Sequence, residues 1–152
     1  MLELLQSLPI ADAIRRSTWM FPAIEVLHLT GIALLFGTIL LADLTLLGLL
    51  RSPTLKAAVP SILAATKTGI VLAVISGGLL FISDPLEFWN NPAFRLKVAA
   101  FAFAIINALL FQGFLVDHDR MISFQLLSKI SVGMSLVLWS AILILGRAIA
   151  YV

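Results

Sequence analysis

Long runs of apolar residues alternate with short polar segments along this chain. Crossing about 30 Å of hydrocarbon takes roughly 20 helical residues, and four runs are long enough to do so. They extend over Phe21–Leu50, Ala57–Ile82, Ala93–Val116 and Ile122–Ala150. Each run is bounded by charged residues, prolines or turn residues. The pattern therefore predicts four transmembrane helices.

The connections between these runs are short. They cover Arg51–Lys56, Ser83–Pro92 and Asp117–Met121. Short links place consecutive helices side by side and antiparallel. We therefore predict an all-α fold, an integral membrane up-down-up-down four-helix bundle in which residues 1–152 form a single membrane domain.

The first 18 residues differ from the four runs. Leu4, Leu5 and Leu8 gather on one side of a helical projection, and Pro9 then breaks or kinks the segment. A short amphipathic stretch of this kind is typical of a helix that lies in the membrane interface. The pattern predicts a short N-terminal interfacial helix.

The composition supports a membrane protein and excludes several other classes. Hydrophobic residues make up 61% of the chain and charged residues 12%, with a mean hydropathy of +1.11, whereas soluble domains carry about 25% charged residues. A net charge of +2 is too small to indicate nucleic-acid binding. Because the chain has no cysteine, disulfides, thiolate metal sites, iron–sulfur clusters and c-type haem are excluded.

The distribution of charge bears on orientation. Four spans place both termini on one side of the bilayer. Because five Lys or Arg residues fall on each side, the positive-inside rule does not decide which side faces the cytoplasm. Five acidic residues lie on the side of the termini and three on the other side. We therefore expect the termini to lie outside.

Two of the runs contain ridges of small residues at helical spacing. In lipid, helices associate through close approach over such residues, so these positions predict helix–helix contacts, with the lining of a pore as the alternative. The ridges are Ala65, Gly69, Ala73 and Gly77 in the second run, and Ala100, Ala104 and Ala108 in the third. In the fourth run, Ser131 and Ser135 are predicted to make contacts of the same kind.

Three ionisable residues share one side of the first run. Glu25 and His28 are three residues apart, about 60° in projection, and Asp43 follows Glu25 by 18 residues, which is five whole helical turns. Ionisable side chains within a span are costly and mark functional positions. We expect this stripe to face protein or water.

Simpler roles are open for the individual residues. Glu25 could cap the helix or pair with Arg95 or Lys97, and Asp43 could reach the interface or pair with Lys67. Further along the chain, Asn107 is predicted to form an interhelical hydrogen bond. His118 is predicted to lie in a solvated turn, with a surface divalent-metal or proton-entry site as the alternative.

His28 is the one histidine within a predicted span, and this position favours a ligand or a proton carrier. The Glu25-x-x-His28 spacing directs two ligands to one metal in di-iron bundles, but a single copy does not complete such a site. We predict a small membrane redox or metal protein that binds b-type haem, or alternatively copper, through His28. Glu25 would serve as a further metal-site residue, and Arg95 and Lys97 would pair with the propionates.

Other functions and partners follow from the same residues. Without a cofactor, Glu25, His28 and Asp43, with Lys67 and Asn107 as further polar positions, would form the relay of a proton-linked or small-solute transporter. A structural subunit of a larger membrane complex is a third hypothesis. Because one chain supplies few ligands, we expect a homo-oligomer, a dimer or trimer, with a quinone or redox protein as partner.

The first run also carries a recognisable pattern. It reads W-x-F-P-x-x-E-x-x-H-x-x-G from Trp19 to Gly31, and D-L-x-L-L-G from Asp43 to Gly48. This pattern resembles a bacterial family of small four-helix integral membrane proteins of unknown function. The resemblance implies a bacterial inner membrane location and functional roles for Glu25, His28 and Asp43. In that membrane, the termini that the acidic residues place outside would be periplasmic.

A looser similarity, at the level of the fold, links the chain to copper-resistance membrane proteins and b561-type cytochromes. The chain departs from those cytochromes because it lacks a second histidine pair within its spans. This departure argues against a haem held by two histidines of one chain.

Overall fold

The protein is all-α, with four long apolar helices. The computed structural model describes residues 2–116 and 121–152, and the side chains of residues 2–111 and 127–152. His118 lies outside the described residues. The helices are α1 Leu2–Gln6, α2 Pro9–Arg16, α3 Met20–Leu46, α4 Pro53–Ser83, α5 Pro85–Asn90, α6 Pro92–Val116 and α7 Met121–Ala148, followed by a 3₁₀ turn at Ile149–Tyr151.

The four predicted spans are confirmed as long helices. By length and hydropathy, segments of α3, α4, α6 and α7 can each cross a bilayer. The fold is therefore that of a multi-pass membrane protein built from helices alone, as the hydropathy pattern predicts. The described residues contain no β-strand.

Local chemistry explains where the first span ends. The pattern predicts a span reaching Leu50, but α3 ends at Leu46 because Gly48 adopts a positive φ of 76°. The amides of Leu49 and Leu50 both bond back to the carbonyl of Leu44. This left-handed glycine cap closes the helix, and α4 then begins at Pro53, a residue suited to the first turn of a helix.

Two short segments are more structured than the pattern suggests. The N-terminal segment forms two helices, because Pro9 lacks an amide hydrogen and begins α2. The link after α4 contains α5, whose first turn is capped by the Asp84 side chain accepting a hydrogen bond from the Glu87 amide at 3.2 Å. An aspartate cap followed by a proline is a strong helix start.

The chain divides into two compact units. The first comprises Met1–Thr38 and Ser61–Asn91, and the second Ile39–Pro60 and Pro92–Val152. Helices α3 and α4 each contribute residues to both units.

In the first unit, the ridge on α4 packs against α3. A Cβ built on Gly69 would lie 2.6 Å from the Leu35 backbone nitrogen, and a Cβ built on Gly31 would lie 2.7 Å from the Ala73 nitrogen. Thr66 also donates a hydrogen bond to Thr38 at 2.8 Å. The contacts run in opposite directions along the two helices, so α3 and α4 are antiparallel here. The predicted helix–helix role of this ridge is confirmed.

The N-terminal helices belong to the same unit. Ala11 and Ile14 on α2 are fully buried, and Arg15 donates hydrogen bonds to the carbonyls of Ser83 and Gln6, both at 2.8 Å. The Ser83 carbonyl lies at the C-terminal end of α4, where backbone oxygens lack helical partners. Arg15 thus fastens the N-terminal segment to the end of a span.

In the second unit, α6 and α7 pack closely. Asn107 donates a hydrogen bond to the Ser131 carbonyl and accepts one from the Ser131 hydroxyl, both at 2.9 Å. The rings of Phe101 and Trp139 meet edge to face at 5.8 Å. The predicted interhelical hydrogen bond of Asn107 is confirmed.

Candidate functional site

The sequence-predicted site residues fall in both units. Glu25, His28 and Lys67 belong to the first unit, and Asp43, Arg95, Lys97 and Asn107 belong to the second.

His28 lies half-buried on α3 with its ring against α4. The closeness of the two helices depends on Gly77, because a Cβ built there would lie 2.9 Å from the Cε1 atom of the imidazole. The neighbouring Gly78 has no atom within 4 Å of its built Cβ. The small-residue ridge of α4 therefore also provides the flat surface on which the histidine ring lies.

The hydrogen bonds of His28 define its tautomer. Nδ1 lies 3.0 Å from the Ala73 carbonyl oxygen and 3.1 Å from the Ser76 hydroxyl oxygen. A carbonyl only accepts, and the Ser76 hydroxyl already donates to the Leu72 carbonyl. In the neutral imidazole, Nδ1 therefore carries the hydrogen, and Nε2 is the basic nitrogen.

Glu25 and Lys67 have exposed side chains in the first unit. Neither forms a hydrogen bond or ion pair with another described residue of that unit. Glu25 lies about one turn before His28 on α3, at an end of the span where a carboxylate can reach the lipid headgroups. Glu25 and His28 are the two residues of the predicted stripe that lie in this unit, and of these His28 contacts the neighbouring helix α4.

A separate cavity lies near the end of α4. It has a volume of about 370 Å³ and is lined by residues of α2, α3, α4 and α5, including Arg15, Phe21, Asp84 and Glu87. His28 is not among its lining residues. The cavity and the histidine are therefore distinct features of the first unit.

Asp43 is the most deeply buried ionisable residue among the predicted positions. Its side chain is 7% exposed, and Ser135 on α7 hydrogen bonds its carboxyl group. The second oxygen, Oδ2, is buried without a hydrogen-bond partner among the described residues. Sequence periodicity predicts a polar stripe at Asp43, but it does not identify Ser135 as the partner.

Arg95 and Lys97 lie in the first turns of α6. Arg95 is exposed, whereas Lys97 is partly buried and runs its chain over α7, with Nζ 3.3 Å from a Cβ built on Gly146. Gly146 therefore leaves room for the end of the lysine side chain, including its ammonium group.

The described residues contain no group of three or more His, Asp or Glu side chains that could hold a metal ion. A metal site built from three or more His, Asp or Glu side chains is therefore not formed within the described part of one chain. His28 offers a single oriented imidazole.

Comparison with protein-family models, with curated proteins and with solved structures finds no match to this chain. The fold and the apolar helices define its class: an all-α, multi-pass membrane protein with four candidate spans.

Proposed function

We propose that the protein is a small membrane redox protein that binds b-type haem through Nε2 of His28. The observation that carries this proposal is the hydrogen bond between His28 Nδ1 and the Ala73 carbonyl. Histidines that bind metals commonly donate their second ring N–H to a carbonyl or carboxylate, which orients the ring and makes the ligating nitrogen more basic. The Ala73 carbonyl supplies that interaction here.

The donor set favours haem over copper. A protein-only copper site needs about three side-chain ligands, and the described residues offer no group of three His, Asp or Glu side chains. A porphyrin supplies four nitrogens itself, so one histidine is sufficient to hold the iron. The single oriented imidazole of His28 therefore suits haem.

A bound haem would supply one-electron transfer, with a quinone or a membrane redox protein as the electron partner. The role of this chain is then to hold the ring of His28 and to keep water from it. Glu25, one turn away and exposed, would tune the ligand electrostatically without bonding the iron.

We also propose that the protein works as a homo-oligomer, a dimer or trimer. One chain offers one in-span histidine, so a second copy is the simplest source of a further ligand for a bound haem. Native mass spectrometry in mild detergent gives both the number of chains and the number of haems. A monomer that retains haem would contradict the oligomer and leave the ligand assignment standing.

The deciding experiment is an optical spectrum with iron analysis of protein purified after haem-supplemented expression. We expect a Soret band and stoichiometric iron in the wild type, both lost in His28→Ala. His118→Ala is the matched histidine control and should keep both. Absence of haem from the wild type would refute the proposal, and loss of haem in His118→Ala alone would place the ligand elsewhere.

A pair of adjacent glycines tests the geometry of the site. Gly77→Ala places a methyl 2.9 Å from the ring carbon of His28, whereas Gly78→Ala meets no atom within 4 Å. Gly77→Ala should therefore weaken haem retention or shift the Soret band, and Gly78→Ala should not. Equal spectra for both variants would contradict a site formed by His28 seated on α4.

Glu25→Gln separates ligation from tuning. If Glu25 acts only through its charge, the variant should keep its haem with a changed reduction potential, because a nearby carboxylate stabilises the oxidised, more positive iron. The measurement is a redox titration followed at the Soret band. Complete loss of haem in Glu25→Gln would instead make Glu25 a ligand.

A further inference from the structure

Asp43 presents a second chemical feature, in the unit that does not contain His28. Its side chain is more than nine-tenths buried. It is the one acidic residue among the described residues of the second unit. The surrounding α3 residues Ile39, Ala42 and Thr45 are buried as well, so the carboxyl group lies in the packed interior of its unit.

Ser135 satisfies only half of this carboxyl group. A serine hydroxyl has one hydrogen to donate, so the interaction with Ser135 cannot satisfy both oxygens. Oδ2 has neither contact with solvent nor a partner among the described residues. The Thr45 hydroxyl, two residues away, is already committed to the Leu41 carbonyl.

Among the described residues of the second unit, no cationic side chain forms an ion pair or hydrogen bond with Asp43. Lys129, on the same helix as Ser135, is exposed, and Lys97 lies over Gly146. The cationic residues of this unit that the structure describes are Arg51, Lys56, Arg95, Lys97, Lys129 and Arg147.

An isolated carboxylate in an apolar interior is strongly unfavourable, so a buried group of this kind is paired, binds a cation or carries a proton. Oδ2 has less than 1 Å² of accessible surface, so a cation the size of Na⁺ could reach it only after the side chains move. A proton needs no such space.

We propose that Asp43, hydrogen bonded by Ser135, is an exchangeable proton-binding site within the membrane-spanning part of the protein. Oδ2 carries the proton, and the Ser135 hydroxyl donates to the other oxygen. Ionisable residues inside membrane proteins commonly serve as proton carriers. The site does not depend on whether His28 binds haem, because it consists of different residues.

The test is reaction with dicyclohexylcarbodiimide, an apolar reagent that modifies protonated carboxyl groups in apolar surroundings. Because Oδ2 is closed to solvent, the reagent reaches it only when the neighbouring side chains move, so labelling is followed over hours. The carboxyl oxygen bonds to the central carbon of the reagent, the acid proton moves to a reagent nitrogen, and rearrangement leaves a stable N-acylurea. The chain gains the mass of one reagent molecule. The full-length protein is labelled in liposomes, and peptide mass spectrometry locates the adduct.

We expect an adduct on Asp43 that is lost in Asp43→Asn and retained in Glu25→Gln, the matched acid at the other end of α3. Ser135→Ala should keep the adduct, because the proton is bound to Oδ2 of Asp43 and not to the serine. Infrared spectroscopy gives a second readout. A carboxylic-acid C=O band should be present in the wild type and absent in Asp43→Asn.

Two outcomes would overturn the proposal. Labelling of Asp43 that is slowed by sodium chloride and not by choline chloride would make Na⁺ the occupant. A wild-type protein with neither an adduct on Asp43 nor the infrared band would show that the carboxyl group carries no proton. Because both readouts are taken on the wild type, the test holds even if Asp43→Asn fails to fold.

Discussion

Replacing Gly69 with alanine tests the packing of α3 on α4. The added Cβ would lie 2.6 Å from the Leu35 nitrogen and 2.8 Å from its Cα. Favourable carbon contacts lie at about 3.5–4.0 Å, so the helices would have to separate by roughly 1 Å. Both close atoms belong to the backbone and cannot rotate away as a flexible side chain could.

The expected cost follows from two opposing effects. Overpacking a close contact costs about 1–3 kcal/mol, and alanine gains roughly 0.5–1 kcal/mol over glycine within a helix. The net effect should be a destabilisation of about 1–2 kcal/mol. Gly78→Ala, on the same helix with no atom within 4 Å, should show only the favourable effect.

Reversible unfolding in mixed micelles of mild detergent and dodecyl sulfate, followed by helix content and tryptophan fluorescence, measures the difference. Each variant is examined at two protein concentrations, so that any contribution from self-association is seen as a dependence on concentration. Unfolding of Gly69→Ala at the same dodecyl sulfate fraction as Gly78→Ala would refute the close contact of α3 with α4.

Two further predictions concern the hydrogen bonds of each unit. Asn107→Ala should destabilise the protein by about 1 kcal/mol in the same unfolding assay. Ser131→Ala should destabilise it by less, because one of the two hydrogen bonds uses the Ser131 backbone. Equal losses of unfolding free energy in the two variants would contradict this pairing. Arg15→Ala should speed amide hydrogen exchange in α1 and α2 by about tenfold, the effect of losing about 1.4 kcal/mol of charge-assisted hydrogen bonding. Arg16→Ala should have little effect on this exchange, because its side chain is 80% exposed and, among the described residues, bonds Asp12 on the same helix. Similar exchange rates in the two variants would show that Arg15 does not fasten the N-terminal segment.

The sequence by itself determined the class of the protein and the approximate limits of its spans. Hydropathy is a property of consecutive residues, and long apolar runs have few alternatives to membrane helices. The sequence also predicted the helix–helix contact of the small residues around Gly69 and the interhelical hydrogen bond of Asn107, because in lipid such residues are suited to contact between helices.

Only the tertiary structure decided which surfaces meet and what the ionisable residues contact. Hydrophobicity is spread almost evenly around α3, α4 and α6, because lipid-facing and protein-facing positions are both apolar, so no periodicity marks the buried side. The bond from His28 to the Ala73 carbonyl and that from Ser135 to Asp43 each join residues distant in the chain. Such pairs depend on the register between helices, which is set by packing.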